Sequence, residues 1–350
     1  MKRSSLSLAL LGFAGAAAAQ SSVAVYGVMD AAAAHGNGSL TNRSLLVSGA
    51  NTTSRIGFRG TEDLGGGLKA GFVLEGQVFV DSGDGQPTNT NNQTTSTTPA
   101  GGFTFARRST VSLMGGWGEV RLGRDFTAHY RNRVEVDPFG NAGVGAIQPF
   151  AGSIGGVVST RASNMIGYFL PSDLGGLYGQ LQVYAGEGGP TGGGSGQSVR
   201  VGYEKGPVNV SLAYGRTRYP TTATEGDITT QNIGVQYNAG FARLMGGLYR
   251  DRVERTAPVT ARGWTLGTVV PIGVGEVKLA LSRYGTDAGA HPDVKKVSTG
   301  YVHFLSKRTA LYATYARVFN AGGANTALNS STTAPNTQSA GYDIGLRHTF

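Results

Sequence analysis

The 350-residue chain contains no cysteine. Disulfide staples, thiolate nucleophiles and cysteine-based metal sites are therefore excluded, and stability must come from backbone pairing and packing. Long apolar runs are missing as well. The stretch from Leu6 to Ala19 is shorter than the ~20 residues a spanning helix requires, and later segments meet polar or charged residues before reaching that length. Charge is sparse at 15% of residues, with 21 acidic against 30 basic side chains. No block of like charge stands out, which argues against a nucleic-acid partner. The five histidines, His35, His129, His291, His303 and His348, lie outside any Gly-x-Ser-x-Gly or His-Glu-x-x-His context. No catalytic residues, cofactor or metal ligands are assigned on this basis. Asp81 and Asp84 in a polar loop are too weak a signal for a metal site.

What is abundant is glycine, 57 residues, about twice the usual share of ~7%. No collagen-like period explains it, and many glycines, such as Gly27, Gly57, Gly71, Gly202 and Gly234, fall inside alternating segments. A soluble sheet would be weakened there, whereas a strongly curved one tolerates them.

The N-terminus sets a compartment. Lys2 and Arg3, the apolar stretch and Ala17-Ala18-Ala19 ahead of Gln20 form a secretory signal over residues 1–19, with the mature chain starting at Gln20. Losing Lys2 and Arg3 leaves the mature chain basic by about +7, which favours anionic partners without naming them.

Period-two alternation then runs from end to end. Segments from Ser22 to His35, Ser54 to Glu62, Leu68 to Val80, Phe105 to Met114 and Glu119 to Arg124 are followed by eleven more, ending with Ser339 to Phe350. The total is sixteen, an even number as in bacterial single-chain membrane barrels. Short turns such as Gly65-Gly66-Gly67 and Lys205-Gly206-Pro207 fall on one end, and long polar loops, among them 81–102 and 125–160, on the other. That division matches short periplasmic turns and long extracellular loops. No linker divides residues 20–350, so one domain is expected.

The faces of these segments decide between a soluble sandwich and a membrane barrel. A wide barrel turns its apolar face to lipid and its polar face to a wet lumen, and closure leaves no unpaired edge in hydrocarbon. Ile56 and Phe58 oppose Arg55, Arg59 and Thr61; Leu68, Phe72, Leu74 and Val78 oppose Lys69, Glu75 and Gln77. In the last strand Tyr342, Ile344, Leu346 and Phe350 share one face, while Asp343, Gly345, Arg347 and Thr349 share the other. The fold class is thus all-β, a 16-stranded antiparallel transmembrane β-barrel, whose last strand must pair with the first, Val23 to His35. Phe350 is expected to serve assembly rather than transport.

Four stretches stand out as a set: Ser22-Val23-Ala24-Val25-Tyr26-Gly27-Val28-Met29-Asp30, Ser54-Arg55-Ile56-Gly57-Phe58-Arg59-Gly60-Thr61-Glu62-Asp63-Leu64-Gly65-Gly66-Gly67-Leu68-Lys69-Ala70, Trp117-Gly118-Glu119-Val120-Arg121-Leu122-Gly123-Arg124 and the terminal strand. With them the chain resembles a family, the trimeric sixteen-stranded general porins of Gram-negative outer membranes, most closely the β-proteobacterial type, and the resemblance has implications for partners and pore. It implies outer-membrane lipid, barrel-assembly machinery and two further copies of the chain as partners, and an inward-folded constriction loop at about 125–160. It also implies a ladder of wall arginines, here Arg55, Arg124 and Arg161. Strict alternation from Leu122 turns Arg124 outward, so its place in the ladder requires a bulge or a strand end.

Arg59, Lys69, Arg108 and Arg121 are lumenal by alternation and are expected to extend the basic surface. The plain alternative is that these cations simply pair with Glu62, Glu75 and Glu119. Residues 140–160 of the loop carry no charge, and only Glu135 and Asp137 could oppose the arginines. Such a pore should prefer anions. The expected function is passive diffusion of small hydrophilic, preferentially anionic solutes. Its rivals are a surface adhesin or receptor acting through loops 81–102 and 320–338, and a barrel hydrolase, for which no nucleophile and base are visible.

Overall fold

The computed structural model describes residues 22–88, 90–93, 102–151, 154, 160–187 and 193–350. The expected signal segment lies outside them, as do residues 152–153 and 155–159 of the expected constriction loop.

Alternating residues bounded by glycine turns give seventeen strand segments in one antiparallel sheet. These are β1 (Ser22–Asn37), β2 (Arg43–Ser48), β3 (Arg55–Gly65), β4 (Leu68–Gln77), β5 (Arg108–Gly115), β6 (Gly118–Phe126), β7 (Arg161–Phe169), β8 (Leu177–Tyr184) and β9 (Gly196–Lys205). They continue as β10 (Val208–Thr217), β11 (Asp227–Asn238), β12 (Arg243–Glu254), β13 (Val259–Ile272), β14 (Gly275–Thr286), β15 (Asp293–Phe304), β16 (Thr309–Ala321) and β17 (Gln338–Thr349). Two short helices, α1 (Ala128–Glu135) and α2 (Gln148–Ala151), lie between β6 and β7.

Both β2 and β3 pair with β1, opposite Ala31–Gly36 and Ser22–Val28 respectively. They are two halves of a single wall strand, so the barrel is closed by sixteen. The interruption at residues 49–54 is organised by Asp30. Its buried carboxylate accepts the Asn51 and Thr52 amides at 3.0 and 2.7 Å and the Tyr312 hydroxyl, while Ser54 Oγ bridges its backbone N and O. Alternation reveals Ser54 to Glu62 but not Arg43–Ser48, because the Asp30-centred break resets the period.

The barrel is inverted relative to a soluble protein. Leu248 and Leu266 are each 58% exposed and Ile344 57%, whereas Asp30, Asp251 and Asp343 are fully buried. Large apolar side chains facing outward all around the sheet are stable only against hydrocarbon. The seam joins β17 to β1 from Val28 to Asn37, shorter at its start than the expected Val23. Residues 22–27 pair with β3 instead, and only the Phe350 backbone reaches back, through reciprocal bonds to Gly27 of 3.0 and 3.1 Å.

Candidate functional site

The 125–160 loop folds into the lumen and is fastened to the wall by side chains that alternation points inward. Gln182 of β8 accepts the Ala128 amide at 2.7 Å, and Ser198 of β9 accepts that of His129 at 3.2 Å. Arg133 forms a buried pair with Asp251 of β12 at 2.9 Å. Ser282 of β14 accepts from Gln148 at 2.8 Å, Asp343 of β17 from Val144 at 2.7 Å, and Lys296 of β15 donates to the Ala146 carbonyl at 2.6 Å. The described part of the loop thus follows the inner wall from β8 to β17. It leaves open the side formed by β3 to β7.

On that open side stand the arginines. Arg55 and Arg107 both bind Glu75, at 3.3 and 2.6 Å, and both line a lumenal cavity of about 640 Å³. Phe126 and Tyr130 line it too, and Val134, Glu135 and Pro138 to Gly140 of the loop face them. Arg161 is set back. Its Nε donates to the Arg107 carbonyl at 2.9 Å and its guanidinium lies 4.3 Å from the Phe126 ring, so it stiffens the wall behind that ring.

Arg124 meets the condition its sequence position imposes. The β6–β7 register shifts between Gly123 and Asp125, and Gly123 has φ of 120°, a conformation open to glycine. The Arg124 side chain is held at the edge of the group, donating to the Ala106 carbonyl and Ser163 Oγ, both at 2.7 Å.

A second cluster surrounds the fully buried Asp125. Arg121 bonds it directly, and Arg108 and Arg131 approach at 3.6 and 3.8 Å. Arg121 also pairs with Glu119 at 2.9 Å and stacks 4.0 Å from Phe169. Burial, and then the neighbouring Arg121 and Arg108 charges, push the Arg131 guanidinium below its ordinary range, with Asp125 opposing. Cations outnumber acids in both clusters.

Several expected residues sit elsewhere. Arg59 is lumenal and lies over the Tyr26 ring at 5.2 Å, but it is four residues down β3 from Arg55, roughly 13 Å toward the short-turn mouth. Lys69 is further still. It is exposed at the start of β4, roughly 26 Å along the strand from Gln77, the partner of Arg55. Glu62 is on the outward face, level with Ala70 and Leu113, and cannot be a lumenal partner.

The two expected opposing acids are both committed. Glu135 receives both Nη groups of Arg200 in β9, one at 2.8 Å. Asp137 is 4% exposed and accepts the Phe139, Asn141 and Ile147 amides at 2.9, 2.8 and 3.3 Å, so it builds the loop rather than the pore field. Burial raises its carboxyl above the usual range, with those amides opposing. Sequence reasoning missed Arg107, Arg131, Arg200, Arg243 and Lys278; Arg243 and Lys278 line the same cavity across from Arg55. Arg107 precedes the first residue of β5, where alternation has not begun, and only its adjacency to Arg108 hinted at it.

A closed sixteen-stranded barrel with a loop fastened inside its lumen matches known proteins over its whole length. The sequence profile of Gram-negative porins matches residues 6–323. The chain belongs to the Gram-negative porin family. It is 38% identical to outer membrane porin protein 32 of Delftia acidovorans, with all of both chains covered, and 27% identical to an outer membrane porin protein of Bordetella pertussis, again over both full chains. Its structure superposes on an anion-selective porin from Comamonas acidovorans with a TM-score of 0.84 and 34% identity, covering 94% of this chain and 100% of that one. This porin is therefore an outer-membrane, multi-pass barrel that forms a passive diffusion channel for small solutes.

Proposed function

We propose that the channel prefers anions, works as a homotrimer delivered by the barrel-assembly machinery after cleavage of residues 1–19, and has no catalytic role. The observation that carries the selectivity is the imbalance at the constriction: Arg55 and Arg107 share the single carboxylate of Glu75, Arg243 and Lys278 line the same cavity, and of the acids there Glu135 is paired with Arg200 and Asp137 is bound to loop amides, which leaves Glu204. An anion crossing there exchanges hydration for guanidinium donors, while a cation meets uncompensated positive charge. The name of the Comamonas relative supports this reading. Trimerisation fits the outward face of β1–β5, which presents Ala31, Ala33, Gly60 and Ala70 and carries no arginine or lysine, a surface suited to close approach of another barrel.

The test is the reversal potential of single channels in a planar bilayer under a potassium chloride gradient, with Arg55→Gln and Arg107→Gln in parallel. Chloride preference that weakens in both variants is expected. A cation preference in the unmodified channel would reject the proposal.

A further inference from the structure

The loop of residues 322–337, between β16 and β17, turns back into the barrel mouth. Its Ala324 and Leu328 are buried against Val294, Ala316 and Val318 of the inner wall and against Val144 of the constriction loop. Gly341 of β17 lets the two loops meet there, because a Cβ at that position would lie 3.1 Å from both Leu328 Cβ and Val144 Cγ2. The crest also presses on β1. A Cβ on Gly36 would come within 2.1 Å of the Leu328 carbonyl oxygen.

One carboxylate joins the two loops. Asn329 Nδ2 donates to Asp343 Oδ1 at 2.8 Å, and Asp343 Oδ2 accepts the Val144 amide at 2.7 Å. The same Nδ2 reaches the His35 and Tyr342 carbonyls at 3.2 and 3.0 Å, so the Asn329 amide spans the β1–β17 seam. Asp343 is fully buried, where a carboxylate oxygen without a donor is costly. Its two oxygens are rigidly linked, so the donor that fixes one also aims the other.

The backbone at the crest does not adopt its own preferred conformation. Asn329 and Ser330 have φ of 48° and 58°. Asparagine tolerates that region and serine less readily, so the pair persists only where surrounding contacts hold it. Ser331 donates to the Leu328 carbonyl through Oγ at 2.7 Å and through its amide at 3.1 Å, and the Leu328 amide donates to Ser339 Oγ at 3.1 Å. Thr332 and Thr41 exchange backbone bonds of 3.1 and 3.2 Å. The anchoring aims one side chain, Asn329, at Asp343. We propose that Asn329 is a positioning residue of the pore: through Asp343 it holds Val144, and with it the uncharged stretch of the constriction loop, so that displacement of loop 322–337 is transmitted to the channel.

The test is single-channel recording of the refolded porin in a planar bilayer. Asn329→Gly keeps the left-handed backbone accessible and deletes only the amide, whereas Ser330→Gly relaxes the same crest and keeps the amide. Transient closures should become roughly fivefold more frequent in Asn329→Gly, the equivalent of one net hydrogen bond of about 1 kcal/mol, with the open-state conductance unchanged. Ser330→Gly should stay within twofold of the unmodified channel. Asp343→Asn, which replaces one acceptor by an NH2, should also raise closures, and adding Asn329→Gly to it should change them less than twofold because both act on one link. Should Asp343→Asn fold poorly, Asn329→Asp replaces it; this variant sets a second carboxylate against Asp343 and should exceed Asn329→Gly in closures. The yield of heat-resistant folded barrel should be normal in both glycine variants. Closures within twofold of the unmodified channel in Asn329→Gly, an equal rise in Ser330→Gly, full additivity with Asp343→Asn, Asn329→Asp no noisier than Asn329→Gly, or a fall in folded yield with quiet surviving channels would overturn the proposal.

Discussion

Glu75 is the acid that most restrains the positive field of the constriction, so its neutralisation gives a quantitative test. Glu75→Gln keeps an oxygen for the Arg107 Nε, now 2.6 Å away, and puts an amide NH2 where the other carboxylate oxygen accepts the Tyr26 hydroxyl at 3.1 Å, so that hydroxyl turns to accept. It removes one negative charge behind two guanidinium groups. For an ion passing at ~7 Å in a water-filled lumen, that charge is worth about 0.6 kcal/mol unscreened, and about 0.3 kcal/mol when the Debye length is ~10 Å at 0.1 M salt. A monovalent anion then gains about 1.6-fold in local concentration and a cation loses the same, so the permeability ratio should rise roughly 2.5- to 3-fold. At 1 M salt, where the Debye length is ~3 Å, the change should shrink to about 1.2-fold. Reversal potentials measured at both salt concentrations give the ratio directly. A fall in anion preference, or a rise as large at 1 M as at 0.1 M, would refute the electrostatic reasoning and point to a displaced loop.

Two further outcomes probe the loop and the seam. Lys296→Met removes the 2.6 Å bond to the Ala146 carbonyl. It leaves that acceptor unsatisfied at a cost of about 1–3 kcal/mol, so more frequent closures and excess current noise are expected in single-channel records; quiet, unchanged traces would show that the remaining fastenings suffice. Gly27→Ala would put a methyl 2.4 Å from the Phe350 ring and 2.7 Å from the Arg55 carbonyl oxygen. Folded barrel recovered from the membrane should fall, as it should on deleting Phe350, while the channels that do form conduct normally.

The wall was legible because each strand meets two uniform surroundings, hydrocarbon outside and water inside, and a period of two records both without interruption. Ile56 and Phe58 against Arg55 and Arg59, or Ile344 and Leu346 against Asp343 and Arg347, needed no tertiary information. Legibility ended where a residue's direction depends on something other than alternation. Arg107 stands one residue before its strand, Arg124 follows the Gly123 bulge, and the Arg43–Ser48 half of the second wall strand is separated from its partner by the turn that Asp30 holds.

The constriction loop shows the same limit from the other side. Residues 140–160 carry no charged side chain, and the wall supplies fastenings for this stretch: Ser282, Lys296 and Asp343 each bind a loop backbone group. In the sequence these three read only as inward-facing polar residues on separate strands. What gives them a common task is the closure of the barrel, which brings β14, β15 and β17 to one arc of the lumen. The same arrangement explains why the pore field is so one-sided. The wall from β8 to β17 spends Arg200, Asp251, Lys296 and Asp343 on holding the loop, while Arg243 and Lys278 remain in the cavity lining across from the arginines of β3 to β7, whose own carboxylate partner there is Glu75.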